Sequence, residues 1–402
     1  MSDRQGSSSS RVETASGLRK LTERLAAADR IAFDTEFVSE STFEPVLCLI
    51  QVATADLTAT IDPLAIDDLT PFWSVIRDPA IEIVMHAAGE DTRIIRRKTG
   101  EIPRRLFDVQ IAAGLVGLGY PLSHGNLVSQ LLGVTVHGGE TRTDWRKRPL
   151  SDGQLRYALD DVRYLLQATD HLKARLAELD RIAWAEAEME AFLEEIRRKG
   201  DDDERWRRLP GLHQLNRVGL ECAKRLYEWR IDEARRTNRP VKQVLRDDLL
   251  IAIAKRRPSG RKDLEALRDF NRPHLLRASG AILETIASVG ETPVDELPEH
   301  AERFDDRPGW SMLVSLLSAT LARCCVENKT APALTGSAND IRDLIRRYVE
   351  GDLESNPPYL LRGWRAEVCG KTLLDVLSGR AGVRVGDLGA EVPVVIETID
   401  RK

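Results

Sequence analysis

Cysteine is scarce in this chain, and its spacing suits neither a metal grid nor a disulfide framework. The five thiols, Cys48, Cys222, Cys324, Cys325 and Cys369, form no CxxC pair and sit within apolar or helical patterns. That excludes a zinc-finger arrangement and fits a reducing cytoplasm. A membrane span is missing as well, because no apolar run approaches the roughly 20 residues that a hydrocarbon layer requires. The N-terminus MSDRQGSSSSRVETAS has no apolar middle of the kind a secretory signal carries. Nor is there an excess of positive charge. Against 59 Lys and Arg stand 64 Asp and Glu, a formal net charge of −5, which excludes a uniformly basic nucleic-acid binder but leaves room for local basic patches.

What is present is 402 residues, 42% hydrophobic and 31% charged, the composition of a globular chain with two or three domains. Residues 1–16 read as a disordered leader. Up to about residue 110 the pattern is strand-rich, with candidate strands at Arg30–Phe37, Val46–Thr54, Thr58–Asp62 and Ile81–His86, the first three joined by short connections as in hairpins. Helical patterns then cover Glu90–Lys98, Val109–Leu118, Leu122–Leu132 and one long stretch from Ser151 to about Glu178. A strand meander followed by alternating strands and helices implies a mixed sheet flanked by helices.

The charged, Gly- and Pro-containing stretch EEIRRKGDDDERWRRLPG (Glu194–Gly211) marks a linker or an exposed helix end. The rest reads as all-helical, with a second break at Ser288–His300. Arg235–Arg257 and Glu327–Val349 align without gaps, placing Pro240 on Pro332 and Asp248 on Asp340, as two copies of one helical unit would.

Within IAFDTEFVSE (Ile31–Glu40), alternation along a strand puts Asp34 and Glu36 on one face. Two neighbouring acids repel and are costly to bury unless a cation compensates them, whereas at a solvated strand end they cost little. Asp91 follows the strand IEIVMH at the start of a helix, where open α/β sheets place ligands and where an Asp also serves as an ordinary cap. In LRYALDDVRYLLQATDHL (Leu155–Leu172), a helical wheel gives an apolar stripe with Asp160 opposite it, in solvent. Asp161 lies at the stripe's edge with Tyr157 one turn earlier on its flank, so Asp161 is the functional candidate. Four carboxylates from separate segments suit hard divalent cations. Two such ions about 3.5–4 Å apart activate water for in-line hydrolysis of a phosphodiester.

FDTEF (Phe33–Phe37), HAAGED (His86–Asp91) and YALDDVRYL (Tyr157–Leu165) resemble the three motifs of the DEDD superfamily of 3′→5′ exonucleases, tyrosine subclass. With LIQVA, IDPL, FDVQIAA, TRTDW and RPLS between them, residues 25–180 are similar to bacterial ribonuclease D. The resemblance implies a ribonuclease H-like α/β exonuclease domain over 17–195, followed by two all-α HRDC-like domains at 205–290 and 300–385, HRDC being a nucleic-acid-binding module shared with RecQ-type helicases. It implies Asp34, Glu36, Asp91 and Asp161 as ligands of two divalent metal ions, Mg²⁺ or Mn²⁺, and Tyr157 as the residue orienting the attacking water. It also implies RNA as the partner, tRNA precursors with 3′ extensions above all; a cytoplasmic monomer is expected, and deletion from about 205 onward is expected to leave the chemistry on short single strands while weakening binding to long or structured RNA.

Around the centre, the basic TRTDWRKRP loop places Arg142, Arg146, Lys147 and Arg148 about Trp145, suited to phosphates and an unstacked base, or else a solvated loop whose Trp plugs the core. Phe37 is a candidate wedge against the terminal base or a core residue, and His86 a candidate RNA contact or a polar strand end. Arg256, Arg257, Arg261 and Lys262 form a basic stretch facing RNA backbone or solvent. A DNA exonuclease and a non-catalytic RNA-binding protein are the competing readings.

Overall fold

The computed structural model describes residues 8–136, 143–200, 205–300 and 307–399. The chain divides into two compact units. One comprises Met1–Glu36, Leu49–Arg197 and Asp306–Lys402, the other Phe37–Cys48 and Arg198–Asp305.

The first unit is built on β1 (Ser8–Val12), β2 (Arg30–Val38), β3 (Val46–Ala53), β4 (Leu57–Ile61), β5 (Glu82–Met85) and β6 (Leu106–Asp108), in sheet order β1-β4-β3-β2-β5-β6. β3 pairs with β4 antiparallel, while β1/β4, β2/β5 and β5/β6 are parallel, so the mixed sheet expected from sequence is present. β3 and β4 are buried almost throughout, as continuous apolar runs require when helices cover both faces. Covering them are α1 (Ala15–Ala26), α2 (Thr70–Ile76), α3 (Gly89–Thr99), α4 (Val109–Leu115), α5 (His124–Leu132), α6 (Asp152–Arg163), α7 (Leu165–Glu178) and α8 (Ile182–Gly200). Phe33 is fully buried and stacks on Phe72 at 6.3 Å, anchoring β2 beside the acids it carries.

Two expectations are corrected here. The supposed leader is structured from Ser8, where β1 pairs residue for residue with β4 from Ser8↔Leu57 to Val12↔Ile61. A serine run carries no strand signal, and backbone pairing with a distant strand supplies what the side chains do not. The long helix from Ser151 breaks at Tyr164 into α6 and α7. Val162 and Leu165 on either side are both buried, so the apolar stripe crosses the break uninterrupted.

The second unit contains α9 (Arg217–Thr237), α10 (Val241–Val244), α11 (Asp247–Arg256), α12 (Arg261–Glu265) and α13 (Pro273–Ser288) around Leu220, Leu226, Leu250, Ile253 and Phe270. In the first unit, α14 (Trp310–Glu327), α15 (Pro332–Thr335) and α16 (Ala338–Glu350) repeat the long, four-residue, medium order of α9 to α11. Pro240 caps α10 and Pro332 opens α15.

The C-terminal segment nonetheless departs from a free-standing domain at 300–385. It shares one core with the exonuclease helices and continues past α17 (Lys371–Leu377) into a hairpin of β7 (Ala381–Val385) and β8 (Val394–Thr398). Alanine and glycine open β7, which hides it from a propensity reading. Leu334 lies over Gly114 of α4, where an added Cβ would meet it at 2.8 Å. Arg365 pairs with Glu188 of α8, and Arg181 donates to the carbonyls of Leu115, Asn328 and Lys329. α14 is long and apolar enough to cross a membrane by length and composition, but Val314, Leu317 and Leu321 on it are buried in this shared core.

Candidate active site

β2 outruns its partner: the parallel register with β5 covers Arg30–Ala32, and Asp34 and Glu36 follow beyond it at the carboxyl end of the strand, where α/β sheets form their ligand crevice. α6 supplies the next pair. Ser151 and Gln154 close a reciprocal capping box at its start, Ser151 Oγ accepting from Gln154 N at 3.1 Å and Gln154 Oε1 from Ser151 N at 3.0 Å. With the first turn fixed, Tyr157 and Asp161 fall one turn apart on the same flank.

One carboxylate oxygen from each of Asp34, Glu36 and Asp161 lies within 4.8 Å of the other two. Asp91 stands just outside this trio and is tied to it by Thr35, whose Oγ1 donates to Asp91 Oδ1. It is not the cap of α3; that place belongs to Ala88. Its position is set by Asp108, whose oxygens accept from Ala87 N at 3.1 Å and Ala88 N at 2.8 Å. Those two bonds hold Ala87 in a left-handed conformation at φ 56°, strained for a residue with a Cβ.

The cluster is electrostatically loaded. Burial, then the charges of Asp91, Asp161 and Glu36, push Asp34 well above the usual carboxylate range. Burial, then Asp161 and Asp91, push Glu36 up to about 8. Burial raises Asp91 to about 6 against the opposing hydrogen bond from Thr35. Tyr157 is raised by burial and next by Asp161, so its hydroxyl is neutral at physiological pH. Perturbed acids gathered in this way mark functional sites, and an all-oxygen donor set fits hard divalent cations.

The remaining candidates separate. Trp145 is corrected: only 2% exposed, it offers no face to an unstacked base and packs in the core, 6.2 Å from the Tyr157 ring. Arg146 is exposed, with its fork directed at Asp144. Arg142 lies outside the described residues. Phe37 is half-buried. His86 is partly buried, with Nε2 2.8 Å from the carbonyl of Leu122, and burial lowers its pKa. Asp160, expected in solvent, is largely covered and pairs with Arg163 at 2.8 Å, and burial raises its pKa. His124, which the sequence reading did not single out, places Nδ1 3.4 Å from Asp161 Oδ1 and its ring edge against His86. Its only local signal is a place just after the cap Ser123, which says nothing about a contact across the fold.

A family model described as 3′-5′ exonuclease matches residues 10–177, and the HRDC domain model matches 219–286. Ribonuclease D of Acidiphilium cryptum is 34% identical over 96% of both chains. Ribonuclease D of Escherichia coli K12 is 31% identical over 91% of this chain and 97% of its own. The crystal structure of E. coli RNase D, described as an exoribonuclease involved in structured RNA processing, superimposes with a TM-score of 0.81, covering 92% of this chain and 99% of that one. About one position in three is identical along nearly the full length of such relatives, and the chain belongs to the ribonuclease D family of 3′→5′ exoribonucleases.

Proposed function

We propose that this chain hydrolyses RNA from its 3′ end with the help of two divalent cations, Mg²⁺ or Mn²⁺, releasing nucleoside 5′-monophosphates one at a time, and that it acts as a cytoplasmic monomer on tRNA precursors with 3′ extensions. The observation that carries the reading is the convergence of Asp34, Glu36 and Asp161 within 4.8 Å, with Asp91 beside them. In this reading those four residues hold the metals. When bound, a metal pair supplies an acidified water and stabilises the leaving oxygen of an in-line displacement.

The chain's own groups orient the reaction. A neutral Tyr157 hydroxyl, its pKa raised by burial and by the charge of Asp161, is placed to align the attacking water without serving as its base. Thr35 and His124 fix the rotamers of Asp91 and Asp161. The HRDC unit, with Arg256, Arg257, Arg261 and Lys262 on and after α11, contributes contacts to the RNA backbone. No disulfide joins the five buried cysteines among the described residues, which suits a reducing compartment.

Matched RNA and DNA strands with 3′ overhangs test the substrate class: shortening of the RNA is expected, and equal shortening of the DNA would overturn a ribonuclease preference. Tyr157→Phe is expected to lower kcat by roughly 10²-fold while the Kd for RNA stays within about twofold, because the hydroxyl acts on the water and not on ground-state binding. Equal losses in both would contradict that role.

The raised carboxylates make metal binding pH-dependent. Cations compete with protons on Glu36, at about 8, and on Asp91, at about 6, so at fixed Mn²⁺ the rise in melting temperature is expected to be small at pH 6 and to grow through pH 8. Scanning calorimetry across that range checks it, and a pH-independent rise would count against these ligands.

A further inference from the structure

Tyr157 is half-buried, and its aromatic neighbour is Trp145, ring centroids 6.2 Å apart and tilted by 40°. The indole N–H of Trp145 is buried and finds no acceptor among the described residues, so no side-chain hydrogen bond fixes the ring. Its backbone is fixed instead. Arg148 Nη1 donates to the carbonyl of Trp145 at 2.7 Å and to that of Lys147 at 3.0 Å. The rest of the guanidinium forks onto Asp62, Nε to Oδ2 at 2.5 Å and Nη2 to Oδ1 at 2.8 Å.

Asp62 is itself locked. It follows directly on β4, is 2% exposed, and accepts from Leu64 N at 2.9 Å. Burial alone would raise its pKa, yet the bonds from Arg148 and Leu64 hold it below the usual range, so the pair is a bidentate, charge-assisted contact. At the other end of the segment, Gln154 Nε2 of the capping box donates to Thr143 Oγ1 at 3.1 Å. The sheet therefore reaches Tyr157 through a continuous set of contacts: Asp62, Arg148, the Trp145 backbone, the Trp145 ring, the Tyr157 ring.

We infer that Arg148 is a positioning residue for the reaction, setting the Tyr157 hydroxyl through Trp145 with Asp62 as its anchor, and that it is not a phosphate contact. The inference rests on the reading of Tyr157 as the group that aligns the attacking water. A guanidinium with four N–H donors already engaged, two of them forked onto a buried carboxylate, is committed to this contact, and Lys, whose donors all sit on one compact ammonium, cannot span Asp62 and two carbonyls at once.

Single-nucleotide release by the full chain is measured for Arg148→Lys and Asp62→Asn, each alone and combined with Tyr157→Phe, with melting curves for every protein. Arg148→Lys is expected to lower kcat by about tenfold with KM for RNA within about twofold and an unchanged salt dependence, since a displaced catalytic group costs rate more than binding. In the Tyr157→Phe background the same change should cost less than about twofold more, because no hydroxyl remains to misplace.

Equal fold-losses in both backgrounds would overturn the inference and leave the reading of Tyr157 intact. A raised KM with a shallower salt slope would overturn it in favour of a phosphate contact. A Tyr157→Phe enzyme of wild-type kcat would instead remove the reading of Tyr157, and the inference with it. If Arg148→Lys and Asp62→Asn melt below the assay temperature, Trp145→Phe carries the same test. It leaves the ion pair in place and trims only the ring that meets Tyr157, and a kcat loss that persists at full size in the Tyr157→Phe background would overturn the inference.

Discussion

Replacing Asp34 with Asn is expected to lower the rate of 3′-nucleotide release by roughly 10²–10³-fold and to raise the melting temperature of the metal-free protein at pH 8. Both effects follow from one arrangement. Asp34 is held among Asp91, Asp161 and Glu36, where burial and their charges disfavour its ionised form. A carboxylate whose pKa is raised by folding leaves the native state binding more protons than the unfolded state, so stability is lost as pH climbs from the unfolded value toward the folded one. Asn removes that loss. Its benefit should be absent near pH 4, should open above the ordinary Asp range, and should persist at alkaline pH, with Glu36, at about 8, still contributing repulsion of its own. Calorimetry without metal at pH 4 and pH 8, paired with a turnover assay, checks both halves. A variant less stable than wild type at pH 8, or one retaining a tenth of the rate, contradicts the account.

A chain ending at residue 300 is expected to lose cooperative unfolding, whatever becomes of RNA binding. The exonuclease helices lean on the C-terminal segment through Trp184, stacked on Trp364 at 5.4 Å, and through Leu115, Val116 and Met189 in the shared core. Uncovering a few such side chains costs about 1.5–3 kcal/mol each. Glu188 would also lose Arg365 and the indole N–H of Trp364, charge-assisted bonds worth roughly 1.5–3 kcal/mol each. Arg181 would lose the carbonyls of Asn328 and Lys329. Together these reach the whole of an ordinary stability margin of about 5–15 kcal/mol. A truncated chain melting within about 3 °C of the full one would show that the segment is dispensable to the fold, as the sequence alone led one to expect.

The contrast between those two predictions shows what the residues disclose by themselves. Asp34 and Glu36 were legible because strand alternation is local, and Asp161 because a helical wheel separates it from Asp160. The same wheel misplaced Asp160, since it records one helix's own apolar stripe and not the groups, Arg163 and His124 among them, whose charges meet that residue. Trp145 carried two readings that only packing distinguishes, an indole among arginines being equally suited to a groove and to a core. β1 and the seating of α14 to α16 were hidden for a shared reason. Parallel pairing and helix docking join residues far apart in the chain, and an amphipathic face records that it is buried without recording against what.

The measurement that bears most directly on the carboxylate cluster is a time course on 5′-labelled, 3′-extended tRNA with Mg²⁺ or Mn²⁺, run with and without chelator and resolved to single nucleotides. The account predicts a ladder shortening one nucleotide at a time from the 3′ end, release of nucleoside 5′-monophosphates, and arrest by the chelator. Intact RNA in the presence of metal, or shortening that proceeds unchanged under chelation, would contradict it.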